Sequence, residues 1–234
     1  MKRLDLFVDL IVVAGLFITL PAVISLASTP SPQPPRTPQP SPGPLFGKVI
    51  EIKGKAWASP DLEGKTKTEI QSGYHLHPNE FLFTGPESQV LVLLGAKDAA
   101  LLVKQNSKFQ IYQTAQGEWW VDLTQGALLV QFKQQEKRGK QLQIKTRSAT
   151  LGIRGPSVFV KQGSGQDAGK GLFVCTCEGI LSLDSKVLIL GKHHNAPKWI
   201  LEGTQALGKR LKNAEKGSEH SDAEIQILEK LLKA

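Results

Sequence analysis

From Gly47 to Leu183 apolar and polar residues alternate in short runs, and each run is closed by a turn signal. Gly47–Trp57 carries Val49, Ile50 and Ile52 and stops at Ser59-Pro60; Ile70–Leu76, Glu80–Gly85 and Glu87–Leu94 follow. Ala100–Val103, Lys108–Tyr112, Trp119–Leu123, Gly126–Phe132 and Leu142–Thr146 continue the series, with Gly, Pro, Asn or Ser between many of them. A period of two places successive side chains on opposite faces, which is the signature of a strand with one face in a core. Runs this short, bounded by turn formers, predict an all-β fold. Serial short strands can close as a sandwich or wind as an elongated, solenoid-like sheet, and the pattern leaves both open.

The two ends break the pattern. Met1-Lys2-Arg3 precedes an apolar stretch, Leu6–Ala27, interrupted by Asp9 and Thr19. Residues 1–27 therefore predict a signal peptide with small residues at Ser25 and Ala27, or an uncleaved signal anchor, since about 20 apolar residues suffice to span a bilayer. Either way the chain is expected to be exported, with the amino terminus held inside by Lys2 and Arg3. Residues 28–44 hold eight of the 14 prolines. Proline lacks the amide donor, so this linker forms neither helix nor ladder and reaches roughly 50 Å at about 3 Å per residue. A β domain is expected over 45–191 and a tail over 192–234, with a short helix over Ala206–Ala214. In the tail, Ser221 and Glu224 have the spacing of a capping box, and Ile225, Leu228, Leu231 and Leu232 form one stripe of a final helix.

Composition narrows the function. Lys and Arg outnumber Asp and Glu by 29 to 21, for a net charge of +8. The lysines are scattered from Lys48 to Lys233 without a basic run, which suits solubility and edge protection and argues against nucleic acid as a partner. Aromatic residues make up only 6%, so the core falls to Val, Ile and Leu.

Candidate chemistry concentrates near the carboxyl end. Cys175 and Cys177 are the only cysteines, and His193, His194 and His220 follow them, with only His75 and His77 elsewhere. At i and i+2 on a strand the two thiols share a face with Cα atoms about 6.5–7 Å apart, the far limit for a disulfide. Two thiols and two or three imidazoles suit Zn(II) or copper, so Cys175, Cys177, His193, His194 and His220 are the candidate metal ligands. The alternative is that the cysteines are small core residues and the histidines polar loop residues. Other patterns are weaker. Gly163–Gly171 is rich in glycine but precedes a strand rather than a helix, so it reads as a hairpin loop. Of Trp119 and Trp120, adjacent on a strand, one is expected in the core and the other on the surface. No nucleophile elbow or paired-histidine zinc motif occurs, and the chain is not expected to be an enzyme.

Three ordered segments carry a resemblance. Thr146–Val160 joins a Thr-x-x-Ala element to Arg154-Gly155 and an apolar strand; Leu172–Gly179 is a strand closed by Glu-Gly; Asn79–Gly85 is an Asn-Glu-Phe-Leu-Phe-Thr-Gly element ahead of an apolar strand. This arrangement resembles the FecR-type domain over roughly Gly47–Leu183, with Pro156 in the place of the usual threonine. Cys175-Thr-Cys177, His193-His194-Asn-Ala-Pro197 and His220-Ser-Asp222-Ala-Glu224 further resemble a subset of that family. The resemblance implies an extracytoplasmic, non-catalytic binding or sensory module of the bacterial envelope, in the periplasm or on the outer face of the inner membrane. Its partner would be an envelope protein or cell-wall component, with the membrane touched only through the N-terminal segment. The best-known members pass a signal from an outer-membrane receptor to a sigma factor through a cytoplasmic anti-sigma region; with five residues ahead of the apolar segment, this chain is expected to lack that region. The alternatives are a metal-binding or metallo-redox envelope protein and a structural envelope adaptor. At the Arg154-Gly155 corner the expectation is a guanidinium tied to buried acceptors.

Overall fold

The structure is a computed structural model that describes residues 46–133, 142–163, 171–184, 187–192, 197–201, 211–213 and 220–233. The N-terminal segment and proline linker lie outside the described residues, as do His193 and His194. The strands are β1 (Gly47–Lys53), β2 (Ala56–Ser59), β3 (Thr68–Glu69), β4 (Phe81–Thr84), β5 (Gln89–Leu94), β6 (Ala99–Val103) and β7 (Lys108–Gln113). They continue as β8 (Trp119–Phe132), β9 (Leu142–Thr146), β10 (Thr150–Gln162), β11 (Leu172–Leu183), β12 (Val187–Lys192), β13 (Lys198–Ile200) and β14 (Leu211–Asn213). One helix, α1 (Asp222–Lys233), closes the described chain. All 14 strands belong to one open, mixed sheet, antiparallel except where β8 runs parallel to β9. The all-β expectation therefore holds. Of the helix expected over Ala206–Ala214, the described residues Leu211–Asn213 pair with β13 as a strand instead, and the others lie outside the described residues. Among the described residues no helix is long and apolar enough to cross a membrane.

Three strands are long, and each changes partners halfway. The first half of β8 pairs with β7 and β9, and its second half with β6 and β10. Likewise β10 passes from β9 to β8, and β11 passes from β13 to β12. Each long strand carries an irregular register at the changeover, and the core-facing set changes parity there. In β8 the main core takes Trp119, Val121 and Leu123, then Leu128, Val130 and Phe132; in β10 it takes Leu151 and Ile153, then Val158 and Val160; in β11 it takes Leu172 and Val174, then Leu181 and Leu183. An extra residue in a ladder shifts the alternation by one and bends the strand, so both halves keep their apolar face on the same core.

Glycine makes these bends possible. Gly126 in β8 has φ +90°, and a Cβ there would lie 2.4 Å from the Ser107 Cα. At the second corner β10 and β11 touch backbone to backbone: a Cβ on Gly155 would lie 2.5 Å from the Gly179 Cα, and one on Gly179 would lie 2.4 Å from the Gly155 Cα. The segments that read as separate strands around Gly126 and Gly155, and the strand that read as ending at Gly179, are thus single strands bent at glycine. Arg154, expected to bolt this corner, is exposed instead. The corner depends on two missing side chains rather than on one guanidinium.

The other sequence signals have local reasons. In Thr146-x-x-Ala149 the Thr146 hydroxyl donates to the Ala149 carbonyl at 3.0 Å and accepts from the Ser148 and Ala149 amides at 3.2 and 3.1 Å, locking the turn between β9 and β10. Thr84 ends β4 by donating to the Lys104 carbonyl at 2.6 Å and accepting from the Ser107 amide at 2.8 Å. Trp119 is buried and donates from Nε1 to Asp98 at 3.1 Å, whereas Trp120 is half-buried and stacks on Tyr112 at 5.9 Å, so the two tryptophans divide as expected.

A second apolar cluster lies on the reverse face of β5, β6, β8, β10 and β11, and α1 covers it. Leu228 and Leu232 are buried there, with Ile225 and Leu231 packed alongside. The capping box forms as read: the Ser221 amide donates to Glu224 Oε2 at 3.0 Å, and the Glu224 amide donates to Ser221 Oγ at 3.4 Å. The remaining carboxylate oxygen of Glu224 pairs with Lys104, which fastens the first helical turn to the end of β6.

Candidate metal centre

The strand registers assemble the site row by row beneath α1. One row crosses the sheet as Leu93, Ala100, Gln131 and Ser157, and the next as Leu91, Leu102, Leu129, Phe159 and Cys175. Ser157 pairs with Glu178 and Val158 with Thr176, so Cys177 is the residue left over by the irregularity in β11. Both cysteines are buried on the α1 side of the sheet, in the cluster with Phe159, Phe173 and Leu228. This is the same-face placement that the i, i+2 spacing predicts. Neither cysteine forms a disulfide.

The helix brings the third group. His220 stands just ahead of the capping Ser221, and the docking of α1 lays its ring on Phe159, with centroids 4.5 Å apart and planes 12° from parallel. Its Nε2 lies 3.0 Å from Cys177 Sγ. One ligand atom from each of Cys175, Cys177 and His220 lies within 4.8 Å of the others. Ligands of a tetrahedral zinc ion stand about 3.5–3.8 Å apart, so small side-chain rotations would bring these three onto one ion. Three of the five candidate ligands are therefore together. The other two, His193 and His194, lie outside the described residues, but their chain neighbours do not. Lys192 pairs with Glu178 and Lys198 with Val174, so residues 193–197 connect two strands that flank the Cys175–Cys177 stretch.

Electrostatics favour a protonated Cys177 thiol when no cation is bound. The adjacent Cys175 thiol, and after it burial, push the Cys177 thiol far above its ordinary value, outweighing the Ser157 hydroxyl and the Phe159 amide, which act in the opposite sense. A divalent cation reverses this balance because it binds thiolate and displaces the proton. The surroundings suit a polar guest. The buried Ser157 Oγ and Gln131 Oε1 have no well-formed hydrogen bond among the described residues, and they stand in the row beside Cys177. Buried polar atoms left this way are uncommon and often mark an ion or water position. Sequence reasoning missed Phe159, Ser157 and Gln131 as parts of the site. The signal for the first two is the period-two spacing that puts residues 157 and 159 on one face of β10; nothing in the sequence shows which face α1 covers.

Comparison with known proteins adds one finding. A family model described as FecR protein matches residues 81–170, from the start of β4 to the segment before β11. The Cys-Cys-His cluster lies outside that match. No curated protein matches the chain.

Proposed function

We propose that this chain, in which residues 81–170 match the FecR family model, is a non-catalytic, extracytoplasmic binding or sensory module of the bacterial envelope whose C-terminal helix is clamped to the β domain by a metal ion. FecR domains are associated with the envelope, and the apolar segment Leu6–Ala27 followed by the proline linker supports export to the periplasm or the outer face of the inner membrane. The partner surface would belong to an envelope protein or a cell-wall component.

The observation that carries the metal reading is the convergence of Cys175, Cys177 and His220 within 4.8 Å. These side chains come from a strand and from a residue just ahead of α1, 43 residues beyond Cys177, and core packing alone does not require them to meet. Two thiolates and an imidazole suit Zn(II), or copper in its softer oxidation state, and His193 or His194 would supply the fourth ligand. A closed set of four protein ligands leaves no open position for substrate, which fits a structural or sensing ion rather than a catalytic one. Purified protein should carry close to one equivalent of zinc or copper by elemental analysis, and its cobalt form should show the intense visible bands of a tetrahedral thiolate site. Cys177→Ala and His220→Ala should each abolish that stoichiometry. Metal-free protein that stays metal-free when titrated with zinc and copper would overturn the reading.

A further inference from the structure

Away from α1, the outward face of the sheet has a different character. On β2, β4, β7, the first half of β8 and β9, the residues that alternate with the main core point away from it. A chain with only 6% aromatic residues places five of them there: Trp57, Phe81, Phe83, Tyr112 and Trp120. No aliphatic residue of those strands shares this face. The registers set Trp57 beside Phe83 and Tyr112 beside Trp120, with Phe81 between the two pairs. The band crosses four strands diagonally over about 20 Å. Lys67 and Lys108 stand 4.4 and 5.3 Å from the Phe83 ring centroid and close that end. Phe81, Tyr112 and Trp120 are half-buried and keep part of their surface open. The Tyr112 and Trp120 rings stack at 5.9 Å with planes 13° apart.

Polar groups continue the row. Past Trp120 it crosses Gln143, Gly152 and Ser182. A Cβ on Gly152 would lie 2.4 Å from Ser182 Oγ and 3.2 Å from Gln143 Oε1, so the missing side chain lets these two groups converge. In the next row Asp122 pairs with Lys145 at 3.5 Å. Trp120 Nε1 is buried without an acceptor among the described residues, an uncommon state that points to a missing partner.

We propose that this face binds a neutral glycan, a β-linked chain of pyranose rings laid along the band from Phe81 to Trp120 with its polar rim toward Gln143 and Ser182. A pyranose with equatorial substituents has two faces of C–H groups and a rim of hydroxyl or acetamido groups. The C–H faces stack on aromatic rings, and the rim exchanges hydrogen bonds with amides and hydroxyls. An apolar set made only of aromatic residues fits that ligand better than a stable protein interface or a lipid surface, each of which takes aliphatic side chains as well. Asp122 and Lys145 neutralise each other, so nothing beside the stack selects a charged ligand. The inference rests on the proposed envelope location for the source of the glycan, a cell-wall component, and is independent of the metal ion. Binding to purified glycan tests the face, and cell fractionation tests the location, so either can fail alone.

The test is calorimetric titration of the full chain with chitohexaose, cellohexaose and maltohexaose. One or both of the β-linked chains should bind with a Kd of about 1 mM or below, unaffected by raised salt. Maltohexaose, whose α-linkages curl the chain off a straight band, should give no heat. Binding of chitohexaose alone assigns an acetamido-bearing glycan, of cellohexaose alone a hydroxyl-bearing one, and equal binding of both a face that reads the ring surface itself. Trp120→Ala and Tyr112→Ala should each weaken binding about tenfold, whereas Trp120→Phe, which keeps a ring in the row, should retain most of it. Gln143→Ala leaves every ring in place and should weaken binding several-fold, so the test stands even where an aromatic variant fails to fold. No heat from either β-linked chain, equal heat from maltohexaose, or indifference to both Trp120→Ala and Gln143→Ala would overturn the site. Sedimentation with phosphatidylglycerol vesicles that is lost in Trp120→Ala, without glycan binding, would assign the face to a membrane and overturn the proposal as well.

Discussion

At the scale of single residues, the corner between β10 and β11 separates two kinds of importance. Arg154 is the most conspicuous residue of its motif, yet it is exposed, and Arg154→Ala should change stability by no more than about 0.5 kcal/mol in urea unfolding. Gly155→Ala is the opposite case. Its new Cβ would meet the Gly179 Cα at 2.5 Å and the Glu178 carbonyl oxygen at 2.9 Å, both backbone atoms that cannot swing away. A loss of about 3 kcal/mol or more is expected from such overpacking. Cys177 makes a prediction about pH. Its thiol is raised above the ordinary cysteine value of 9.0 by Cys175 and by burial. Above that value the unfolded chain has lost a proton that the folded chain still holds, so unfolding releases a proton. The stability of the metal-free protein should therefore be level below about pH 8 and fall as pH rises beyond about 9. Metal reverses the sign, because binding expels the proton and affinity grows with pH. Urea midpoints measured across this range, with chelator and with zinc, would show the two opposite slopes.

At the scale of elements, α1 matters most. A helix of 12 residues is marginal alone, so its order comes from docking: Leu228 and Leu232 in the apolar cluster, the Lys104–Glu224 pair, and His220 against Phe159 and Cys177. Leu228 is fully buried, and Leu228→Ala should cost about 2–4 kcal/mol. The loss should fall first on the helix: its amides should exchange faster in hydrogen-exchange measurements while those of β8 and β10 stay protected. Metal affinity should drop in the same variant, since the helix carries one ligand. A variant with a fast-exchanging helix and unchanged metal affinity would show that His220 is not a ligand.

At the scale of the whole molecule, the described β domain has a continuous core. Residues 44–234 expressed alone should give a β-rich circular dichroism spectrum and a cooperative thermal transition. A helix-dominated spectrum would contradict the single sheet of 14 strands. The way that sheet folds on itself was only partly legible in the sequence. Period-two alternation located most strands because it reports which residues face a core, and this holds whatever the strand's partner. The same reading divided β8 and β10 and ended β11 at their glycines, because a glycine that ends a strand and a glycine that bends one look alike in sequence. Pairing decided between them: β8 continues past Gly126 because β6 and β10 are there to receive its second half.

The sequence by itself determined the all-β class, the capping box and stripe of the last helix, and the shared face of Cys175 and Cys177. Each follows from spacing along a few neighbouring residues, which local geometry converts directly into direction. Only the tertiary structure decided that Cys177 falls at an irregularity in β11, that α1 covers the cysteine face, and that His220 reaches Cys177 Sγ rather than solvent. These depend on registers between strands and on the landing point of α1, which carries in His220 from 43 residues beyond Cys177. Long-range contacts of that kind are set by the apolar surface and the bends of the whole sheet, which no short stretch of the chain encodes.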